Sequence, residues 1–207
     1  GNPKGAKISH RAFIARAMYW AYEYKVNEED TFPAWAPMFH MASTDLAIGS
    51  LIIGASVAFV DGFEPKVLKR LIQKYKLSWL VLMPGMLEGF IKSLERKKIK
   101  IKGIKAMGAM ADLIPKKQII EITTLLNTPY LNSFGSTETG MPPASGGVIS
   151  KTSKNFSLSK TQSSFCEVIL VNDNKVVGLE APGECAVRGP TLFSGYWKAE
   201  ETNLKDF

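Results

Sequence analysis

The sequence predicts an α/β fold, a mostly parallel sheet with flanking helices plus a small β-rich C-terminal subdomain, and three observations carry that prediction. From residue 31 to residue 133, short apolar runs alternate with amphipathic segments of ten or more residues, the pattern of repeated βα units. The apolar runs begin roughly 25 residues apart, which is the room a crossover helix needs between parallel neighbours. Beyond Gly140 the character changes: residues 141–164 are rich in Pro, Gly, Ser, Thr and Lys, and two further apolar runs follow with no helical pattern between them.

Taken in order, the first helix is expected over 10–24, after Ser9, a hydroxyl residue suited to capping. A strand at 32–36 precedes a helix at 43–53, where Ser43 and Asp45 suit the cap and the positive end of the helix. The strand at 56–60 ends on the turn pair Asp61-Gly62. Helix 64–75, strand 79–82, helix 85–96, strand 104–107, helix 115–126 and strand 130–134 complete the alternation. Pro65, Pro84 and Pro115 fall where a first helical turn tolerates a missing N–H. Residues 141–164 read as loop, and 165–171 and 184–187 as strands, the first of them ending in the turn Asn172-Asp173-Asn174. The organisation expected is an α/β part over 1–145 and a β-rich part over 146–207.

Composition narrows the function classes. With 207 residues, 45% hydrophobic and 22% charged, the chain can bury one sizeable core. Cys166 and Cys185 lack CxxC spacing and only two histidines accompany them, so structural zinc is not expected and both read as reduced core cysteines. The longest apolar stretch, 46–60, is interrupted by Gly49, Ser50, Gly54 and Ser56 and is too short to span a bilayer. No secretory signal pattern opens the chain, and a soluble, cytoplasmic protein is expected. The net charge of +7 is concentrated in Lys92, Arg96, Lys97, Lys98, Lys100, Lys102 and Lys105, with Glu95 the one acid among them. No aromatic residues interleave with these lysines, so a solvated helix end and a lysine-protected strand edge are expected rather than a nucleic-acid surface. A membrane-surface or acidic-partner contact stays open.

The stretch LNSFGSTETG, 131–140, holds the most chemistry. Phe134 offers a flat apolar face for a purine, Gly135 permits close backbone approach, Thr137 can donate to phosphate, and Glu138 is a hard oxygen ligand for Mg²⁺. The opening Gly1-Asn2-Pro3-Lys4-Gly5 adds a glycine-flanked lysine of the kind that holds phosphate. Phe39 and His40 follow the first α/β strand, Gly108 and Ala109 the fourth, and 135–138 the fifth. All sit at strand C-terminal ends, where open parallel sheets bind ligands.

These motifs together resemble the adenylate-forming, AMP-binding superfamily, and within it an acyl-CoA synthetase for long- or medium-chain fatty acids; the likeness covers essentially the whole chain. GNPKG resembles the second half of that family's phosphate loop, and Pro37-Met38-Phe39-His40 the motif between acyl pocket and adenylate. LNSFGSTETG resembles the adenine and magnesium motif, and GECAVRGPTLFSGYW the glycine-bounded motif before the ribose-binding aspartate. The resemblance implies ATP, Mg²⁺ and coenzyme A as cofactors and a small-molecule carboxylic acid as substrate. It places Lys4, His40, Thr137 and Glu138 in the catalytic machinery, with Lys4 on the leaving pyrophosphate, Thr137 on the α-phosphate and Glu138 on the metal. Gly108, Ala109, Asn132, Ser133, Phe134, Gly135, Ser136 and Thr137 would surround the nucleotide, with Ala109 standing where the family's loop has a second glycine. Three family elements are missing: the first half of the phosphate loop, the ribose aspartate expected just past Phe207, and the domain carrying the catalytic lysine. The chain therefore reads as a fragment of an N-terminal domain, not expected to turn over unaided.

Substrate class follows from His40, which stands where amino-acid-activating relatives carry an aspartate, and from Met38, Met41, Met83, Met86, Met107 and Met110 near the expected pocket. Both favour a flexible apolar acid without an α-amino group, fatty rather than aromatic. Other readings are an amino-acid or aryl-acid adenylation domain, and a non-catalytic interaction module that keeps the fold. A dinucleotide-binding oxidoreductase fits the alternation, but no GxGxxG follows the first strand.

Overall fold

The computed structural model describes residues 3–95, 99–141, 143–151, 155–178 and 180–206. Gly1, Asn2, the Arg96, Lys97 and Lys98 of the basic window and Phe207 lie outside the described residues. The elements run α1 (His10–Tyr24), β1 (Asp30–Ala34), α2 (Met41–Ile53), β2 (Ser56–Phe59), α3 (Pro65–Lys74), β3 (Lys76–Leu80), α4 (Leu87–Glu95), β4 (Ile104–Met107), a 3-10 turn (Ala111–Leu113), α5 (Lys116–Leu126), β5 (Tyr130–Leu131), β6 (Val148–Ile149), β7 (Glu167–Asn172), β8 (Lys175–Val177), β9 (Glu184–Arg188) and α6 (Glu200–Asp206).

The main sheet has the order β2-β1-β3-β4-β5-β6. Its first five strands are parallel, and β6 closes the edge antiparallel to β5. A separate antiparallel sheet has the order β8-β7-β9. The mostly parallel α/β fold with a small β-rich addition is thus present. Helix α1 packs on α2, and α4 on both α3 and α5, so the helices form two groups. The core centres on aromatic rings: Trp79 lies 5.1 Å from Trp20 and 6.4 Å from Phe32, and all three are buried.

Several boundaries differ from the sequence reading, each for a physical reason. Strand β3 begins at Lys76 because Lys76 and Leu77 pair with Asp30 and Thr31. That pairing stops at Thr31, which explains how β1 carries Pro33 inside a sheet: the proline lies beyond the ladder to β3. Strand β5 is only two residues long, because the backbone from Asn132 onward turns to loop partners at Gly147 and Ser145. Strand β6 lies inside the stretch read as loop. Helix α2 is capped by His40 rather than by Ser43, whose hydroxyl instead donates to the Ala36 carbonyl at 2.7 Å. Asp45 is not a helix-end charge but is buried against Arg16.

The basic window also needs correction. β4 lies between β3 and β5, so Lys105 sits on an interior strand, 3.8 Å from the Asp30 carboxylate, and guards no edge. Ile99 and Ile101 pack on the core while Lys100 and Lys102 face out, so the alternation is real. Lys92 pairs with Glu88 one turn earlier. Cys166 is buried as expected, whereas Cys185 on β9 is exposed. No described helix is long and apolar enough to cross a membrane.

Candidate functional site

Two cavities open at the C-terminal ends of the parallel strands, where the loops after β1, β3, β4 and β5 converge. The first, of about 610 Å³, is lined among others by His40, Met41, Trp79, Met83, Met110 and Phe134, and runs along Gly135 to Glu138. The second, of about 580 Å³, includes Lys4, Arg16, Phe39, Asp45 and Thr137. Met41 and Thr137 line both, so the cavities meet at the Thr137 turn. Of the methionines singled out, Met41, Met83 and Met110 line the first cavity and Met38 the second. Met107 is instead fully buried core, and Met141, not singled out, joins the lining.

The 132–140 loop is built to hold one shape. A Cβ at Gly135 would fall 2.2 Å from the Gly140 carbonyl oxygen, so only glycine fits there. Ser136 and Thr139 close the turn: the Ser136 N–H donates to Thr139 Oγ1 at 3.0 Å, and the Gly140 N–H to the Ser136 carbonyl at 2.9 Å. Ser145 fixes the turn from beneath. Its fully buried hydroxyl accepts from the Phe134 N–H at 3.1 Å and lies 2.7 Å from the Met141 carbonyl, while its own carbonyl accepts from the Tyr19 and Tyr24 hydroxyls. With its backbone held, the Phe134 ring stands half exposed in the first cavity, a free aromatic face rather than a core ring.

Glu138 accepts a 2.6 Å hydrogen bond from the Tyr196 hydroxyl, and the Lys4 ammonium lies 4.7 Å from the centre of the Tyr196 ring. Partial burial pushes the Glu138 carboxyl up, but the hydroxyls of Tyr196 and Ser136 and the charge of Lys4 outweigh it and hold the group below the usual carboxylate range. It is therefore ionised at neutral pH. Among the described residues no three His, Cys, Asp or Glu side chains gather as a metal cage. A single ionised carboxylate beside a cavity suits Mg²⁺, which binds through one or two carboxylates and takes its other oxygens from phosphate and water. The residues present fit that ion at Glu138.

His40 borders the first cavity from the start of α2. Its Nδ1 accepts from the Ala42 N–H at 3.0 Å, which requires the Nε2–H tautomer of the neutral ring. Ala109 lines the first cavity behind Gly108, whose carbonyl accepts from the Trp79 indole at 2.9 Å. The Tyr130 hydroxyl donates to the Ala109 carbonyl at 3.1 Å, so this loop is pinned on two sides. Ser133, Phe134, Gly135, Ser136 and Thr137 all line the first cavity, whereas Gly108 and Asn132 do not. Asn132 spends its amide on the 159–160 segment, donating to Ser159 and accepting from Lys160.

The sequence reading gave Arg16, Tyr130, Ser145 and Tyr196 no role at the site, and took Asp45 for a helix-end charge. Arg16 and Asp45 left a signal, since a charged residue in the apolar register of a helix asks for a partner in another helix. Tyr196 was inside a quoted motif but without a role. Nothing local marks Ser145, one serine in a Ser/Gly-rich stretch.

Comparison with known proteins agrees with this geometry. A family model described as AMP-binding enzyme matches residues 1–197. The chain is 28% identical to 4-coumarate–CoA ligase 4 of Arabidopsis thaliana, over 99% of the chain and 38% of the relative. It is 24% identical to 2-succinylbenzoate–CoA ligase of Bacillus cytotoxicus, over 97% and 41%. Among solved structures, O-succinylbenzoate coenzyme A synthetase from Bacillus subtilis in complex with ATP and magnesium ion superposes with a TM-score of 0.81 at 22% identity, over 100% of this chain and 42% of that one. The chain thus spans about 40% of the length of these relatives. With the family model matched over residues 1–197, the chain belongs to the AMP-binding enzyme family.

Proposed function

We propose that the intact protein is an ATP-dependent acid–thiol ligase that joins a carboxylic acid to AMP and then passes the acyl group to coenzyme A. The observation that carries this reading is the meeting of the exposed Phe134 ring, the ionised Glu138 and the Thr137 turn with an apolar chamber in one cavity. Such a site offers an adenine platform, a phosphate-side turn and a place for an apolar acyl group within reach of each other.

In the first step a carboxylate oxygen forms a bond to the α-phosphorus of ATP and the bond to the leaving pyrophosphate breaks. A carboxylate is ionised at neutral pH, so the step needs no general base and rests on in-line positioning and charge stabilisation. Thr137 would donate to α-phosphate oxygens from the wall between the cavities. Lys4, in the second cavity, would meet the departing pyrophosphate, and His40 would face the forming acyl-adenylate through its Nε2–H. Mg²⁺ held at Glu138 would neutralise phosphate charge.

The acid proposed is apolar and lacks an α-amino group, because no acidic side chain follows Phe39 to pair an ammonium. A fatty acid of modest length suits the thioethers of Met41, Met83, Met110 and Met141. A second reading, an aromatic acid, is favoured by Trp79, a buried indole fixed by the Gly108 carbonyl at the chamber's wall. It is favoured too by the names of the 4-coumarate and 2-succinylbenzoate ligases among the relatives. ATP–pyrophosphate exchange by the intact protein with fatty, aryl and amino acids tests both. Exchange with one class names the substrate class; no exchange with any acid from folded protein ends the ligase reading and leaves an interaction module.

A further inference from the structure

The loop that carries Thr137 and Glu138 is held from behind by a buried arginine. Arg16 lies on α1 with its side chain 1% exposed, and every nitrogen of its guanidinium is engaged. Nη1 donates to both Asp45 carboxylate oxygens at 2.9 and 3.0 Å, Nε to the Thr191 carbonyl at 2.9 Å, and Nη2 to the carbonyls of Thr137 at 3.1 Å and Glu138 at 3.3 Å. The aliphatic part of the side chain runs against Gly140, where a Cβ would fall 2.7 Å from Nε and 2.9 Å from Cδ, and where φ is +74°. A further bond joins the same peptide to the segment after β9: the Phe193 N–H donates to the Glu138 carbonyl at 2.8 Å.

This is an expensive arrangement for stability alone, because a buried ion pair often gains little over packed apolar residues. Its geometry serves a different end. A guanidinium is a rigid planar fork that reaches carbonyls on two segments and a carboxylate on a third at once, which the point charge of a lysine cannot do. With the Thr137 and Glu138 carbonyls held by Arg16, both residues border the first cavity, and Thr137 also borders the second, which Arg16 and Asp45 line with it. Asp45 balances the charge, so the fork orients the turn without adding a free cation beside the phosphates.

We propose that Arg16, seated by Asp45, is a positioning residue that sets the Thr137–Glu138 turn for phosphate and metal. The catalytic half of this proposal rests on the ligase reading above. Two measurements on the intact protein test it with Arg16→Lys, which keeps the charge and loses the fork. The first is amide hydrogen exchange of the peptide covering 134–141 without any ligand; the second is ATP–pyrophosphate exchange against Mg²⁺ concentration. The expected result is exchange at those amides at least about tenfold faster, kcat at least about tenfold lower, and a several-fold higher Mg²⁺ requirement, with KM for the acid unchanged. Unchanged amide protection overturns the clamp. Faster amide exchange with unaltered kcat and Mg²⁺ requirement per folded molecule overturns the positioning role and leaves a structural one. If the wild type shows no pyrophosphate exchange, the ligase reading and the catalytic half fall together, and amide exchange alone decides the clamp. If Arg16→Lys does not fold, Asp45→Asn, which removes the carboxylate that seats the fork and so loosens its hold on the turn, is read in the same two ways.

Discussion

Phe134 and Ser145 show how a binding surface and its support divide the work between neighbouring residues. The Phe134 ring is 50% exposed, so its removal takes little packing from the core. A base stacked on an aromatic ring is worth roughly 1–3 kcal/mol, so on the ligase reading Phe134→Ala should weaken ATP binding about 5- to 150-fold with the melting temperature essentially unchanged, as calorimetric titration and a thermal melt would show. Ser145 is the opposite case. Its hydroxyl is fully buried, and its removal orphans the Phe134 N–H and the contact to Met141. Ser145→Ala should cost about 1–3 kcal/mol in a urea melt, and nucleotide affinity should fall with it because the ring loses its seat. A stability loss with unaltered affinity would mean that Phe134 is oriented by something other than Ser145. The sequence made the ring legible, because an aromatic beside a glycine and hydroxyls is a local pattern. The serine acts through a contact eleven residues away and nothing local marks it.

At the scale of elements, periodicity carried most of the information. Helix α1 matches its expected span because Ser9 caps its start, accepting from the Ala12 N–H, and Lys25 ends it in the left-handed region. The strand ends were less legible, since they are set by partners: β3 starts where β1 offers Asp30, and β5 stops where Ser145 and Gly147 take over. β6 could not be read at all, because two residues carry no period. Asp45 was misplaced for the same kind of reason: its partner lies a helix away on α1. Burial pushes the Asp45 carboxyl up to about 6, against the opposing pull of Arg16. The unfolded chain releases that proton near pH ~4, so the folded state binds it more tightly. The stability this group contributes is therefore fully present below about pH 4 and lost as pH rises through about 6. Wild-type protein should gain stability from this site on acidification across that window, and Asp45→Asn should lack the gain. Parallel urea-melt curves for the two proteins from pH 7 to pH 4 would contradict the assignment.

At the scale of the whole molecule, the two ends of the sequence meet at the site. Residues 5–7 lie against 194–197: the Lys7 N–H donates to Gly195, the Ser194 N–H to Lys7 and the Trp197 N–H to Gly5, with Ala6 bridged to Tyr196. This pairing sets Lys4 beside the Tyr196 ring while the Tyr196 hydroxyl holds Glu138, so one tyrosine joins Lys4 to the Glu138 turn. Asn203 on α6 supports the strip from outside. Its Oδ1 accepts from the Tyr196 N–H at 2.7 Å and its Nδ2 donates to the Tyr196 carbonyl at 3.0 Å, as a paired strand would. Asn203 lines neither cavity, so its removal acts on the site through the strip it holds. On the ligase reading, Asn203→Ala should lower the pyrophosphate-exchange rate of the intact protein about 5- to 30-fold, with KM for the acid held, because about 1–2 kcal/mol of support for the Tyr196 backbone is lost. Asn203→Asp keeps the acceptor and should recover part of the rate. Equal activity in Asn203→Ala and wild type would show that the pairing of 5–7 with 194–197 holds Tyr196, and through it Glu138, without α6.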